Sequence, residues 1–126
     1  MRLLLDTHIL VWAATDDVKL SKAAAQLIDD EANTLYFSAA SIWELTIKGA
    51  ERTGVIPAVL RKVLLDAGYL ELAITSEHGL TVGALPNVHR DPFDRILVAQ
   101  ALAEGISLVT HDSAACLPAH HHCLNL

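Results

Sequence analysis

Three consecutive leucines near the N-terminus, Leu3, Leu4 and Leu5, run straight into an acid, Asp6. An unbroken apolar run without alternation is the pattern of a strand buried on both faces of a parallel sheet. Such a strand needs helices on either side of it, so the run predicts an α/β chain. Asp6 then stands at the carboxyl end of the strand, where open α/β sheets hold their ligands. An ionised carboxylate beside a core is costly unless something pairs with it. Asp6 could equally cap the next helix, as a βα turn often requires.

The 126 residues suit one domain spanning 1–126. With 52% hydrophobic and 19% charged residues the chain can bury a core and is not disordered. No apolar run approaches the roughly 18 residues of a membrane span. The N-terminus also lacks a secretory pattern, so a cytoplasmic protein with no membrane partner is expected. Two cysteines, Cys116 and Cys123, are too few for a disulfide scaffold and are expected as free thiols. The net charge of −6 has the wrong sign for a passive nucleic-acid clamp. It is compatible with an enzyme whose acids bind divalent cations, and with a basic protein partner.

After Asp6 and Thr7, Ile9–Trp12 predict a short apolar helix broken at Thr15–Asp17. Ser21 is a plausible N-cap for a second helix, with Ala24, Leu27 and Ile28 on one stripe. Leu35–Phe37 read as the second strand, and Ser38 as the cap of a helix running to about Arg52. On that helix Glu44 and Lys48, four apart, share a narrow polar strip; alone they would be an exposed ion pair. Pro57 suits the first turn of a helix that Gly68 ends. Leu70–Ile74 alternates like a half-exposed or edge strand, and Ser76 is placed to cap a short helix ending near Leu85.

Asp91-Pro92 is a strong helix start, with Asp at N-cap and Pro at N1, and the helix ends at Gly105. It is apolar nearly all round, so Asp94, one turn in, heads a face that otherwise packs. Helix-dipole stabilisation explains a charge there but not an acid directly above a core face. For Asp91, capping alone suffices. Ser107–Val109 form a fourth strand, followed by Thr110, His111 and Asp112, which repeats the grammar of the first: apolar run, then acid. A last strand is expected over His122–Leu126.

This order predicts a three-layer α/β/α domain around a mostly parallel sheet of four to five strands. If the first and fourth strands are neighbours, Asp6 and Asp112 meet at the switch point, with Glu44 and Asp94 directed to the same edge. Four carboxylates in one crevice repel one another, and hard cations such as Mg²⁺ or Mn²⁺ relieve that repulsion. Such ions activate water and stabilise a phosphoryl transition state, so the chemistry implied is phosphodiester hydrolysis.

The stretches LLDTHILVW, SAASIWELTIK, LPNVHRDPFDRILVAQALAEG and LVTHD resemble the PIN-domain nucleases, and most of all the VapC-type toxins of bacterial toxin–antitoxin pairs. The likeness runs from Arg2 to Asp112 through four motifs in order. It implies an endoribonuclease whose acidic quartet, here Asp6, Glu44, Asp94 and Asp112, holds Mg²⁺ or Mn²⁺ and cleaves an RNA substrate. Asp91, Thr7 and Thr110 would support that quartet. The resemblance also implies a homodimer and a cognate antitoxin whose tail blocks the crevice with a basic side chain. His89, Arg90 and Arg95 sit beside the crevice and are candidates for holding RNA phosphates. After Asp112 the chain departs from the family pattern: aromatic residues are usual there, and this chain has Ala114-Ala115-Cys116-Leu117-Pro118.

Other readings are weaker. His120, His121, His122 and Cys123 suggest zinc, but consecutive strand residues point to opposite faces and cannot all chelate one ion. A receiver-like signalling domain needs an acceptor Asp ending the third strand, where this chain has Ala73-Ile74-Thr75. A DxDxT phosphatase needs a second acid that Asp6-Thr7-His8 lacks. A catalytically silent PIN scaffold that only binds a partner fits poorly with a complete quartet.

Overall fold

In a computed structural model of the chain, residues 1–86, 91–112, 116 and 123–126 are described. The order is β1 (Arg2–Leu5), α1 (Thr7–Thr15), α2 (Lys22–Asp29), β2 (Thr34–Ser38), α3 (Ala39–Lys48), α4 (Ala50–Thr53) and α5 (Pro57–Asp66). Then follow β3 (Leu70–Leu72), α6 (Ser76–Ala84), α7 (Pro92–Glu104), β4 (Ser107–Thr110) and β5 (Cys123–Asn125). The five strands run in the order β3-β2-β1-β4-β5, and every neighbouring pair is parallel. β1 is therefore central, and the chain's winding reverses beside it, between β1 and β4. Leu4 pairs with Tyr36 on one side and Leu108 on the other.

The leucine run is buried on both faces. Leu3 and Leu5 join Ile9, Leu10, Phe37, Leu45, Leu60, Leu64 and Val109 in one core, which α1, α3 and α5 cover. Leu4 points the other way, into a second core with Leu97, Val98, Ala101 and Leu108 under α7. This is the period-two alternation of a strand with a helix layer on each face. Each buried leucine contributes about 1.5–3 kcal/mol. β3 lies at a sheet edge, partly exposed, as its alternation predicts.

Several local expectations are corrected. The helix after β2 stops at Lys48, not near Arg52: Gly49 has φ +80, which an α-helix does not accept, and α4 is a separate short turn. α6 is capped by Thr75 rather than Ser76. The Thr75 side chain accepts from the His78 backbone N–H while His78 Nδ1 accepts from the Thr75 N–H, a reciprocal box with histidine in the usual Glu position. The cysteines are not free thiols: Cys116 and Cys123 are joined as a disulfide, their Cα atoms 5.5 Å apart. The return of the chain to place β5 beside β4 brings them within bridging reach. β5 is described from Cys123; His122, like the rest of the His120–His122 run, lies outside the described residues. Among the described residues no helix is long and apolar enough to cross a membrane.

Candidate active site

The site begins where β1 and β4 end together. Leu5 is in register with Val109, and the Asp6 backbone N–H donates to the Val109 carbonyl at 3.0 Å. Asp6 is the N-cap of α1: its Oδ1 accepts from the Ile9 N–H at 2.9 Å. Its other oxygen, Oδ2, accepts from the Thr110 hydroxyl. Thr110 Oγ1 in turn accepts from the Asp112 backbone N–H at 3.0 Å. One buried threonine thus ties the Asp6 carboxylate, just after β1, to the backbone of Asp112, just after β4. Asp6 is only 7% exposed, whereas Asp112 is exposed.

Glu44 reaches this corner from α3. Ser38 starts that helix by accepting from the Ala40 N–H, and Glu44 follows in its second turn, 3% exposed. Its Oε1 accepts from the Thr7 hydroxyl at 2.8 Å. Thr7 Oγ1 also lies 2.9 Å from Ser41 Oγ. A hydroxyl has one proton, so Ser41 donates to Thr7 and Thr7 to Glu44. Glu44 Oε2 carries the Lys48 ammonium. The i,i+4 pair therefore forms, but with side-chain exposures of 4% for Glu44 and 30% for Lys48 it is no surface pair. Lys48 neutralises a carboxylate that the fold has removed from water.

α7 brings the remaining acids. Asp91 caps it, its Oδ1 accepting from the Phe93 N–H at 2.9 Å, and Pro92 occupies the first turn. Asp94 lies in that first turn, half-buried. The start of α7 is held to α3 by Phe93, whose ring meets Trp43 edge-on with centroids 5.1 Å apart. Asp94 is thus carried on a third element, packed beside α3. Arg95 donates to the Val82 and Pro86 carbonyls at 3.0 and 2.9 Å, bracing the end of α6. His89 and Arg90 lie outside the described residues.

The structure connects Asp6 with Asp112 through Thr110, and Glu44 with the residue after Asp6. Among the described residues no three His, Cys, Asp or Glu side chains stand together as a ready-made ion cage. Sequence reasoning missed Ser41, whose place one turn before Glu44 was the available signal. It also missed Gln100, fully buried in α7, whose Oε1 accepts from the Ser38 hydroxyl at 2.6 Å and so anchors α7 to the end of β2.

A parallel sheet of this order, with acids at the central strand ends, defines a class. Residues 3–119 match the family model of the PIN domain, and the chain belongs to that family. It is similar to Ribonuclease VapC22 of Mycobacterium tuberculosis, 34% identical over 122 residues that make up 94% of this chain and 92% of the relative. Its fold matches the crystal structure of VapBC2 from Rickettsia felis bound to a DNA fragment from their promoter. The TM-score there is 0.66 at 19% identity, over 90% of this chain and 89% of that one. The receiver-like alternative is left without support.

Proposed function

We propose that this protein is the ribonuclease toxin of a toxin–antitoxin pair, hydrolysing RNA phosphodiester bonds with water at Asp6, Glu44, Asp94 and Asp112. The observation that carries this reading is the Asp6 carboxylate held by Thr110, which also holds the backbone of Asp112, at the switch point of the sheet, in a chain similar along nearly its whole length to a VapC ribonuclease.

The donor set suits a hard divalent ion. Every candidate ligand is a carboxylate, and hydroxyls hold two of them, Thr110 at Asp6 and Thr7 at Glu44. Asp6, Asp94 and Asp112 would hold Mg²⁺ or Mn²⁺, and Glu44 would complete the set. When bound, the ion supplies Lewis-acid polarisation of the phosphate and a more acidic water. The chain's own groups supply orientation. Thr110 and the Ile9 N–H hold the Asp6 carboxylate from both oxygens. Thr7, itself held by Ser41, fixes one oxygen of Glu44 and leaves the other to Lys48. A carboxylate fixed in this way orients an attacking water and accepts its proton.

The proposal extends to a homodimer and to a cognate antitoxin that covers the acids with a basic side chain. Lys48 seated on Glu44 is an intramolecular instance of that contact. Asp6→Asn is the test. Asparagine can still cap α1 through its one amide oxygen and donate from its NH2 to the Thr110 hydroxyl oxygen, so the melting temperature should stay close to wild type while cleavage of single-stranded RNA with Mn²⁺ falls about a hundredfold or more. EDTA should abolish wild-type cleavage. A fully active, folded Asp6→Asn variant refutes the mechanism.

A further inference from the structure

Next to Glu44 lies a cleft of about 300 Å³ whose lining includes Thr7, His8, Trp12, Lys48, Arg52 and Thr53. Thr7 and Lys48 both touch Glu44, so they form the wall shared by the cleft and the acids. The charge of the cleft opposes that of the chain. The net charge is −6, yet the lining contains no acid; it holds Lys48, whose charge Glu44 balances from behind the wall, and Arg52. Arg52 is exposed, and among the described residues no carboxylate lies within ion-pair distance of it. The Lys48 ammonium has three donors, of which Glu44 takes one.

The rim is aromatic. His8 stacks on Trp12 with centroids 5.8 Å apart and planes 17° from parallel. His111 meets the same indole edge-on at 5.0 Å. His111 stands between Thr110 and Asp112, so this cluster joins the cleft to the acidic strand ends. Both histidines are exposed, and the half-buried indole packs one side on the core while the other carries the histidines. Cationic groups for a backbone phosphate beside flat rings for a base are the two components of single-strand recognition.

We infer that this cleft seats one nucleotide of the RNA adjacent to the cleaved bond, its phosphate on Lys48 and Arg52 and its base against the His8–Trp12 pair. The inference rests on the ribonuclease reading and names the residues that position its substrate. A volume of about 300 Å³ suits a single small-molecule-sized unit, not a duplex.

The experiment measures binding of a labelled ten-nucleotide single-stranded RNA by fluorescence anisotropy in EDTA. It compares the wild-type protein with Arg52→Ala, Arg52→Lys, Trp12→Leu and Trp12→Phe. Arg52→Ala should weaken binding about fivefold or more and lower the slope of log K against log salt by about 0.7, the value of one single-strand phosphate contact. Arg52→Lys should restore most of both. Trp12→Leu should weaken binding about tenfold with the slope unchanged, and Trp12→Phe less. Manganese uptake by calorimetry and the melting temperature of Arg52→Ala should match wild type. If Trp12→Leu does not fold, Arg52→Ala and Trp12→Phe decide. Binding within twofold of wild type for Arg52→Ala, with an unchanged slope, overturns the inference. Because binding is read without turnover, a chain that binds through Arg52 and Trp12 yet never cuts fails the nuclease reading alone. One that cuts but binds without regard to both residues fails the cleft alone.

Discussion

Replacing Lys48 by methionine keeps an unbranched stem, one atom shorter, and removes the ammonium with its charge and donors, leaving Glu44 buried against Thr7 with no counter-ion. Removing one partner of a fully buried pair costs about 3–5 kcal/mol, whereas breaking an exposed pair costs less than about 1. Here one end is closed and the other partly open, with side-chain exposures of 4% for Glu44 and 30% for Lys48. Water can reach the site from the lysine side and reduces the penalty, so Lys48→Met should destabilise the protein by about 2 kcal/mol. For a domain of this size that is a drop of about 7 °C in Tm. Glu44→Gln in the same background removes the stranded charge, and the new amide oxygen still accepts from Thr7. The double variant should therefore recover to within about 1 kcal/mol of wild type, a coupling of more than about 1 kcal/mol between the two positions. Urea unfolding of all four proteins, with unchanged m, measures the cycle. A Lys48→Met cost below about 0.5 kcal/mol, or a double variant equal to the sum of the singles, would show that the pair is solvated and that the description of Glu44 as enclosed is wrong.

Two other perturbations test the same corner and the core. Thr110→Val keeps the shape and removes the hydroxyl linking Asp6 to Asp112; it should cost about 1–3 kcal/mol and lower RNA cleavage, as read by unfolding and a nuclease assay side by side. Tyr69 is buried, and burial, helped by the charge of Asp29, pushes its phenol up to about 12. The folded state therefore keeps that proton where the unfolded chain loses it, so the contribution is intact below pH 10 and is lost as pH rises from 10 to 12. Tyr69→Phe should remove up to about 3 kcal/mol of this alkaline decline, measured as the difference between the two stability profiles.

Most of the scaffold is legible in short-range patterns. Leu3–Leu5 announces a doubly covered strand, Ser21 and Ser38 cap the helices they precede, and Asp91-Pro92 with Gly105 brackets α7. These signals act within a turn of the chain, so sequence carries them directly. What was not legible depends on residues far apart. Glu44 and Lys48 look like a surface pair until α1 delivers Thr7, 37 residues away, on top of them. Gln100 looks like an ordinary polar helix residue until Ser38, 62 residues away, donates to it. The disulfide joins residues only seven apart, but it depends on β5 lying beside β4, which the spacing of the cysteines does not specify. The end of α3 is a local feature: the apolar pattern continues to Ala50, but Gly49 at φ +80 stops the helix at Lys48.

Because β1 is flanked on one side by β2 and on the other by β4, its second neighbour is made last. Asp6 and Thr110 lie 104 residues apart along the chain. At about 5–20 residues per second of synthesis, the N-terminal segment waits on the order of 5–20 s on the ribosome before that neighbour exists. A nascent chain can therefore assemble the layer of β1 and β2 early but cannot close the acidic edge until β4 has been synthesised.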